Sequence, residues 1–138
     1  MPVETTTIAI ETSGKGLTEF TRQAADWLTT TGIAEGLLTA FCRHTSASLL
    51  INENAAPAVQ RDLTRWLDHV APEGPHYEHD DEGPDDMPAH LRATLTGVSL
   101  QVPVAGGRML LGTWQGLFLA EHRARPHTRQ VVLQIIGE

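Results

Sequence analysis

Cysteine is nearly missing from this chain: Cys42 is the single one in 138 residues, so no disulfide can form within it. Long apolar runs are missing too. Nothing approaches the roughly 20 continuous apolar residues that a spanning helix needs, which predicts no membrane span. The first residues, MPVETTTIAIET, lack both the basic start and the apolar stretch of a signal peptide. The expectation is a cytoplasmic protein. Basic residues are scarce: 10 Lys and Arg stand against 17 Asp and Glu, for a formal net charge of -7. A general nucleic-acid binder needs a basic footprint, so that class is excluded as a partner. There is no glycine-rich phosphate loop and no zinc-finger or metalloprotease spacing.

What is present is ordinary for a globular domain, with 41% hydrophobic and 20% charged residues. The length suits one domain, 1–138, with one core. Val3 to Thr12 alternates like a strand. Thr18 is placed to cap a helix carrying Phe20, Ala24, Trp27 and Leu28 on one face. Gly36 to Cys42 and Ser46 to Asn52 read as two more strands. A helix follows, with Asn54 as its cap, Pro57 in its first turn and Val59, Leu63, Trp66, Leu67 and Val70 at helical spacing. Ala71 to Asp86 is a long loop, a feature often tied to function. A short helix capped by Asp85 or Asp86 carries Leu91 and Leu95 as its apolar stripe. Three strands complete the chain: Val98 to Val104, Met109 to His122 with a bend at Gly112 or Gly116, and Arg129 to Ile136. Short turns between the three predict antiparallel neighbours, with the last strand buried on both faces. The order predicts an α+β fold with a mostly antiparallel, β-sandwich-like core and two to three helices.

The polar chemistry gathers around three histidines. His44 stands between two apolar strands, beside hydroxyl side chains. It reads either as a ligand or general base, or as a histidine bonded to nearby backbone. His79 lies in the acidic loop. His90 follows Asp86 by four residues, so the two share a helical face and the acid can orient the imidazole. Three histidines from separate elements, with carboxylates alongside, fit an open divalent-metal site. Gln115 and Glu121 share one side of the penultimate strand, and a buried Glu121 would need partners. Cys42 alternates with Leu38 and Ala40, which favours a buried, inert thiol over a Cys/His nucleophile.

Phe41 to Asn54 (FCRHTSASLLINEN), Tyr77 to Leu91 (YEHDDEGPDDMPAHL) and Leu111 to Glu121 (LGTWQGLFLAE) together resemble the YjbQ family. Its members are often labelled secondary thiamine-phosphate synthase enzymes. The resemblance implies a homotrimer of β-sandwich-like α+β subunits. It implies that His44, His79 and His90 converge in a pocket near a subunit boundary, holding a zinc or magnesium ion with Asp85. Glu121, Asp86 and Gln115 are the implied catalytic candidates. The implied activity joins a pyrimidine diphosphate to a thiazole phosphate, so the expected ligand is a small phosphorylated molecule. The alternative is a trimer that binds a small anionic or metal-bearing ligand without turnover.

Overall fold

The computed structural model describes residues 1–138 and places two antiparallel sheets face to face. The chain runs β1 (Val3–Glu11), β2 (Gly16–Glu19), α1 (Thr21–Thr31), β3 (Gly36–Cys42), β4 (Ala47–Glu53) and α2 (Pro57–Val70). It continues through α3 (Asp86–Thr96), β5 (Ser99–Ala105), β6 (Arg108–Met109), β7 (Gln115–Glu121) and β8 (Thr128–Gly137). One sheet has the order β1-β8-β3-β5-β6 and the other β2-β7-β4. The α+β class, the three helices and the antiparallel pairing agree with the sequence reading.

The core fills the space between the sheets. Leu38, Ala40, Val131, Leu133 and Ile135 project from the larger sheet, and Leu49, Leu117 and Leu119 from the smaller. Alternate residues of a strand face one side, and β8 obeys this: Arg129, Val131, Leu133 and Ile135 are buried while Gln130 and Ile136 are exposed. The expectation that β8 is buried on both faces is therefore corrected. It belongs to β7 instead, where Gly116 through Glu121 are all buried.

Several local expectations change. Thr18 lies in β2, paired with Leu119, and the first helix begins only at Thr21. Met109 to His122 is not one strand, because residues 110–114 leave the larger sheet and β7 joins the smaller. Of the last three long strands, β5 pairs with β3, β7 with β4 and β2, and β8 with β1 and β3, so none is paired to another. The expected turn at Gly106-Gly107 does form a hairpin, pairing β5 with the short β6, whereas the connections after β6 and β7 carry the chain between sheets. Asn54 does not cap α2. The Glu53 carboxylate accepts the N–H groups of Ala55 and Ala56 instead, at 3.2 and 3.0 Å. Trp66, Val70, Leu91 and Leu95, read as core-facing, are exposed.

Topology makes one end of the sandwich special. The chain crosses between sheets there three times: after β1 at Thr12, after β3 at residues 43–46, and after β7 at residues 122–127. Loops gathered at the end of a rigid sandwich are a common place for binding groups.

Candidate metal centre

The first turn of α3 and the loop before it supply the tightest cluster of ligating atoms. His79, Asp86 and His90 each offer one atom, all within 4.8 Å of one another. Asp86 Oδ2 lies 2.9 Å from His79 Nε2 and 3.2 Å from His90 Nε2. The i, i+4 relation read from the sequence is what brings His90 over Asp86. Ligands bonded at 2.0–2.1 Å in a tetrahedral shell sit about 3.4 Å apart, so these spacings suit one small cation.

The outer nitrogens of the two rings are also held. His90 Nδ1 is 3.1 Å from the Thr45 carbonyl oxygen, and His79 Nδ1 is 3.3 Å from Asp81 Oδ1. A carbonyl oxygen only accepts, so His90 Nδ1 carries the hydrogen. For His79 the hydrogen bond is made at the inner nitrogen, Nε2–H donating to Asp86 Oδ2 at 2.9 Å. Asp86 Oδ2 thus accepts from His79 while His90 Nε2 faces the same oxygen at 3.2 Å, and a metal ion taken up among the three atoms would replace the His79 Nε2 hydrogen.

Arg123 closes the back of the cluster. Its Nη1 donates to Asp86 Oδ1 at 2.9 Å, its Nε to Asp85 Oδ2 at 3.0 Å and its Nη2 to the Glu82 carbonyl at 2.9 Å. Asp85 also accepts the Ala124 N–H at 2.8 Å. Burial pushes the Asp85 carboxyl up, but the Arg123 and Ala124 donors outweigh it and hold the group below the usual carboxylate range. Asp85, expected as a ligand, is engaged with Arg123 and outside the cluster.

A second polar group lies alongside, at the end of the sandwich. Glu121 is 2% exposed. Its Oε1 accepts from Thr12 Oγ1 at 2.7 Å and Arg129 Nε at 2.8 Å, and its Oε2 from Arg129 Nη2 and the Arg123 N–H. Burial alone raises its pKa, yet the donors of Arg129, Thr12 and Arg123 bring it below the ordinary value. With its lone pairs occupied and its charge matched, Glu121 fixes Arg129 in place and has no free position for proton exchange. That corrects its reading as acid or base.

His44 stands at the far side of Arg129, with Nδ1 3.5 Å from Arg129 Nη1, and its Nε2 accepts the Gln130 N–H at 2.8 Å. Burial, then the Arg129 charge, lowers its pKa. Of the two sequence readings, the backbone-bonded histidine is the one found. His44 is not in the ligating cluster, although it and His90 wall the same open cavity of about 660 Å³, with Phe41, Arg43 and Thr94. Gln115 lies at the other end of β7, about 20 Å from Glu121 at the usual strand rise, where its Oε1 accepts the Gly112 N–H. It is a turn residue and not part of the site. Cys42 is buried, and burial pushes its thiol up, as expected of an inert cysteine.

Sequence reasoning did not single out Arg123, Arg129, Thr12 or Asp81. Arg129 had a legible signal. It shares strand parity with Val131, Leu133 and Ile135, as Glu121 does with Leu117 and Leu119, and two opposite charges on inward faces must meet. Arg123 had none, because its partners come from a loop about 40 residues away.

A family model described as UPF0047 protein YjbQ-like matches residues 6–138. The chain belongs to this family. The UPF0047 protein sll1880 of Synechocystis is 48% identical over 132 residues, covering 95% of this chain and 90% of that protein. UPF0047 protein YugU of Bacillus subtilis is 36% identical, covering 95% and 98%. Among solved structures, a hypothetical protein from Aeropyrum pernix K1 superposes with a TM-score of 0.91 at 32% identity, covering 98% and 99% of the two chains. A YjbQ/UPF0047 protein from Clostridium acetobutylicum gives 0.88 at 36% identity, covering 95% and 99%. The family assignment read from the three sequence blocks therefore stands. No helix is long and apolar enough to cross a membrane.

Proposed function

We propose that this YjbQ-family protein is a metal-assisted enzyme whose divalent ion is held by His79, Asp86 and His90. The observation carrying this reading is the convergence of His79 Nε2, His90 Nε2 and Asp86 Oδ2 within 4.8 Å of one another, with His90 Nδ1 backed by the Thr45 carbonyl and His79 Nδ1 3.3 Å from Asp81. Carboxylate-backed or carbonyl-backed histidines of this kind are the usual support of a metal ligand. Two nitrogen donors and one oxygen favour zinc over magnesium, which prefers oxygen ligands. Three protein ligands leave a position for substrate, and the ion would act there as a Lewis acid. The neighbouring cavity, entered past His44 and Arg43, is large enough for a small molecule. The substrate class we assign is phosphorylated. The reaction is a condensation of the thiamine-phosphate synthase kind, in which the thiazole phosphate bonds to the pyrimidine-bearing carbon as that carbon's bond to the diphosphate breaks and pyrophosphate leaves, in a cytoplasmic homotrimer.

One observation favours a second reading, ligand binding without turnover: Glu121 has no free lone pair and is no general base. The test is metal content of tag-free protein after equilibration with zinc, then turnover of pyrimidine diphosphate with thiazole phosphate. Near-stoichiometric zinc, lost in His79→Ala, His90→Ala and Asp86→Ala but kept in His44→Ala, supports the centre. Turnover abolished by chelation and restored by zinc supports the enzyme. Zinc bound without turnover supports the second reading. No bound metal overturns the metal-assisted enzyme and leaves a hydrogen-bonded His79–Asp86 pair with His90 beside it.

A further inference from the structure

Asp86 is asymmetric in its surroundings. Its Oδ2 faces the two histidines, and its Oδ1 is taken by Arg123 Nη1 at 2.9 Å. The Asp86 side chain is 3% exposed, so no solvent competes for that oxygen. Arg123 is itself fixed at three further points: Asp85, the Glu82 carbonyl, and Glu121 through its own N–H. A planar guanidinium can hold these divergent acceptors at once, and an ammonium cannot.

Resting on the metal reading above, we propose that Arg123 is a positioning residue that makes Asp86 a one-oxygen ligand. A carboxylate free to rotate offers both oxygens to a cation and raises its coordination number. Held by Arg123, Asp86 offers Oδ2 alone. Three protein donors then surround the ion, and the remaining position is left for substrate.

The same contact sets the charge of the centre. Asp85 and Arg123 neutralise one another, so Asp86 is the one anion among the three ligands. Counted over its three ligands, a divalent ion bound there keeps a net positive charge, offset in part by the exposed Asp81 carboxylate behind His79. Without Arg123, Asp85 and Asp86 would both bear on the ion and the site would be neutral overall. Arg123 therefore determines both the openness of the centre and its preference for anions.

Cobalt(II) replacement tests this, because four-coordinate cobalt absorbs visible light far more strongly than six-coordinate cobalt. The wild-type protein is expected to bind one cobalt ion with intense visible bands. Arg123→Gln is expected to bind with roughly 10–100-fold lower affinity, the usual cost of losing an outer contact, and with weaker absorption per bound ion. Arg123→Lys, which keeps the charge but not the fork, is expected to fall between. If Arg123→Gln does not fold, Arg123→Lys carries the test alone, with a smaller loss of affinity and of absorption per bound ion expected. Wild-type affinity and absorption in the variants would overturn the role of Arg123 alone. A wild-type protein that binds no cobalt would overturn the metal centre, and this inference with it.

Discussion

His122 shows how a single residue sets a property of the whole fold. It is buried against Ser48 Oγ, 2.7 Å from its Nε2. Thr96 donates to the Arg92 carbonyl, so Ser48 donates to Thr96 and His122 Nε2–H donates to Ser48. Burial, followed by the nearby Arg92 charge, takes the imidazole down to about 4, with Glu121 pulling the other way. The unfolded chain takes up this proton near pH 6.5 and the folded chain does not. Unfolding therefore binds more protons, and stability falls as pH drops from 6.5 to 4. The shift is worth about 3 kcal/mol at 1.36 kcal/mol per unit. His44, also lowered, adds loss of the same sign. Glu121 and Asp85, held below their usual range, lose their contribution only at still lower pH. Denaturant unfolding at steps between pH 7 and 4.5 should show this slope. His122→Gln, which keeps a donor for Ser48, should flatten most of it. An unchanged slope in the variant would mean that His122 is protonated in the folded protein.

At the scale of elements, the start of α2 separates what local sequence shows from what it hides. Asn54 is a favourable cap by residue type, yet its side chain donates to Glu19 of β2 at 2.9 Å, and no side chain caps α2; Glu53 accepts the N–H groups of Ala55 and Ala56 in the turn before the helix. Glu53→Ala loses two hydrogen bonds in the turn that leads into α2 and should cost about 1 kcal/mol. Asn54→Ala loses one exposed bond and should cost less than half of that. Chemical denaturation of the two variants distinguishes them, and the reverse order would make the Asn54 bond to Glu19 the stronger anchor of this turn. The existence of α2, α3, β1, β3, β4 and β8 was legible because hydrophobic period is a local property. Strand partners were not. Nothing within residues 105–128 tells that β7 joins β4 while β8 joins β1, since a short loop serves a hairpin and a sheet crossing equally well. The site divides the same way. Asp86 and His90 were legible as a pair because one helix fixes their spacing. His79 required a loop to fold back. The family blocks brought in His44 and Gln115 together, but the fold puts His44 on the wall of the open cavity it shares with His90 and sends Gln115 to the other end of β7.

At the scale of the whole molecule, the mismatch between expected and observed burial carries its own argument. Leu95, Trp66, Leu110 and Trp114 are 56%, 51%, 59% and 63% exposed. Leu91 and Leu95 are one turn apart on α3, the helix that also supplies Asp86 and His90. Their period was read correctly as an apolar stripe, but within one chain the stripe has no cover. Exposed apolar surface on that scale is a frequent mark of association, and the proposed homotrimer would supply the cover. A subunit boundary on α3 would then lie beside the ligating residues without needing to contribute any of them. Equilibrium sedimentation should give three times the 15.0 kDa chain mass. Leu95→Glu, which puts a charge into the proposed contact, should shift the mass toward the single chain. His79, Asp86 and His90 all come from one chain, so the dissociated variant should still bind metal. A wild-type mass of one chain would refute the trimer and leave the centre intact. Loss of metal on dissociation would mean that the neighbouring subunit holds part of the site in place.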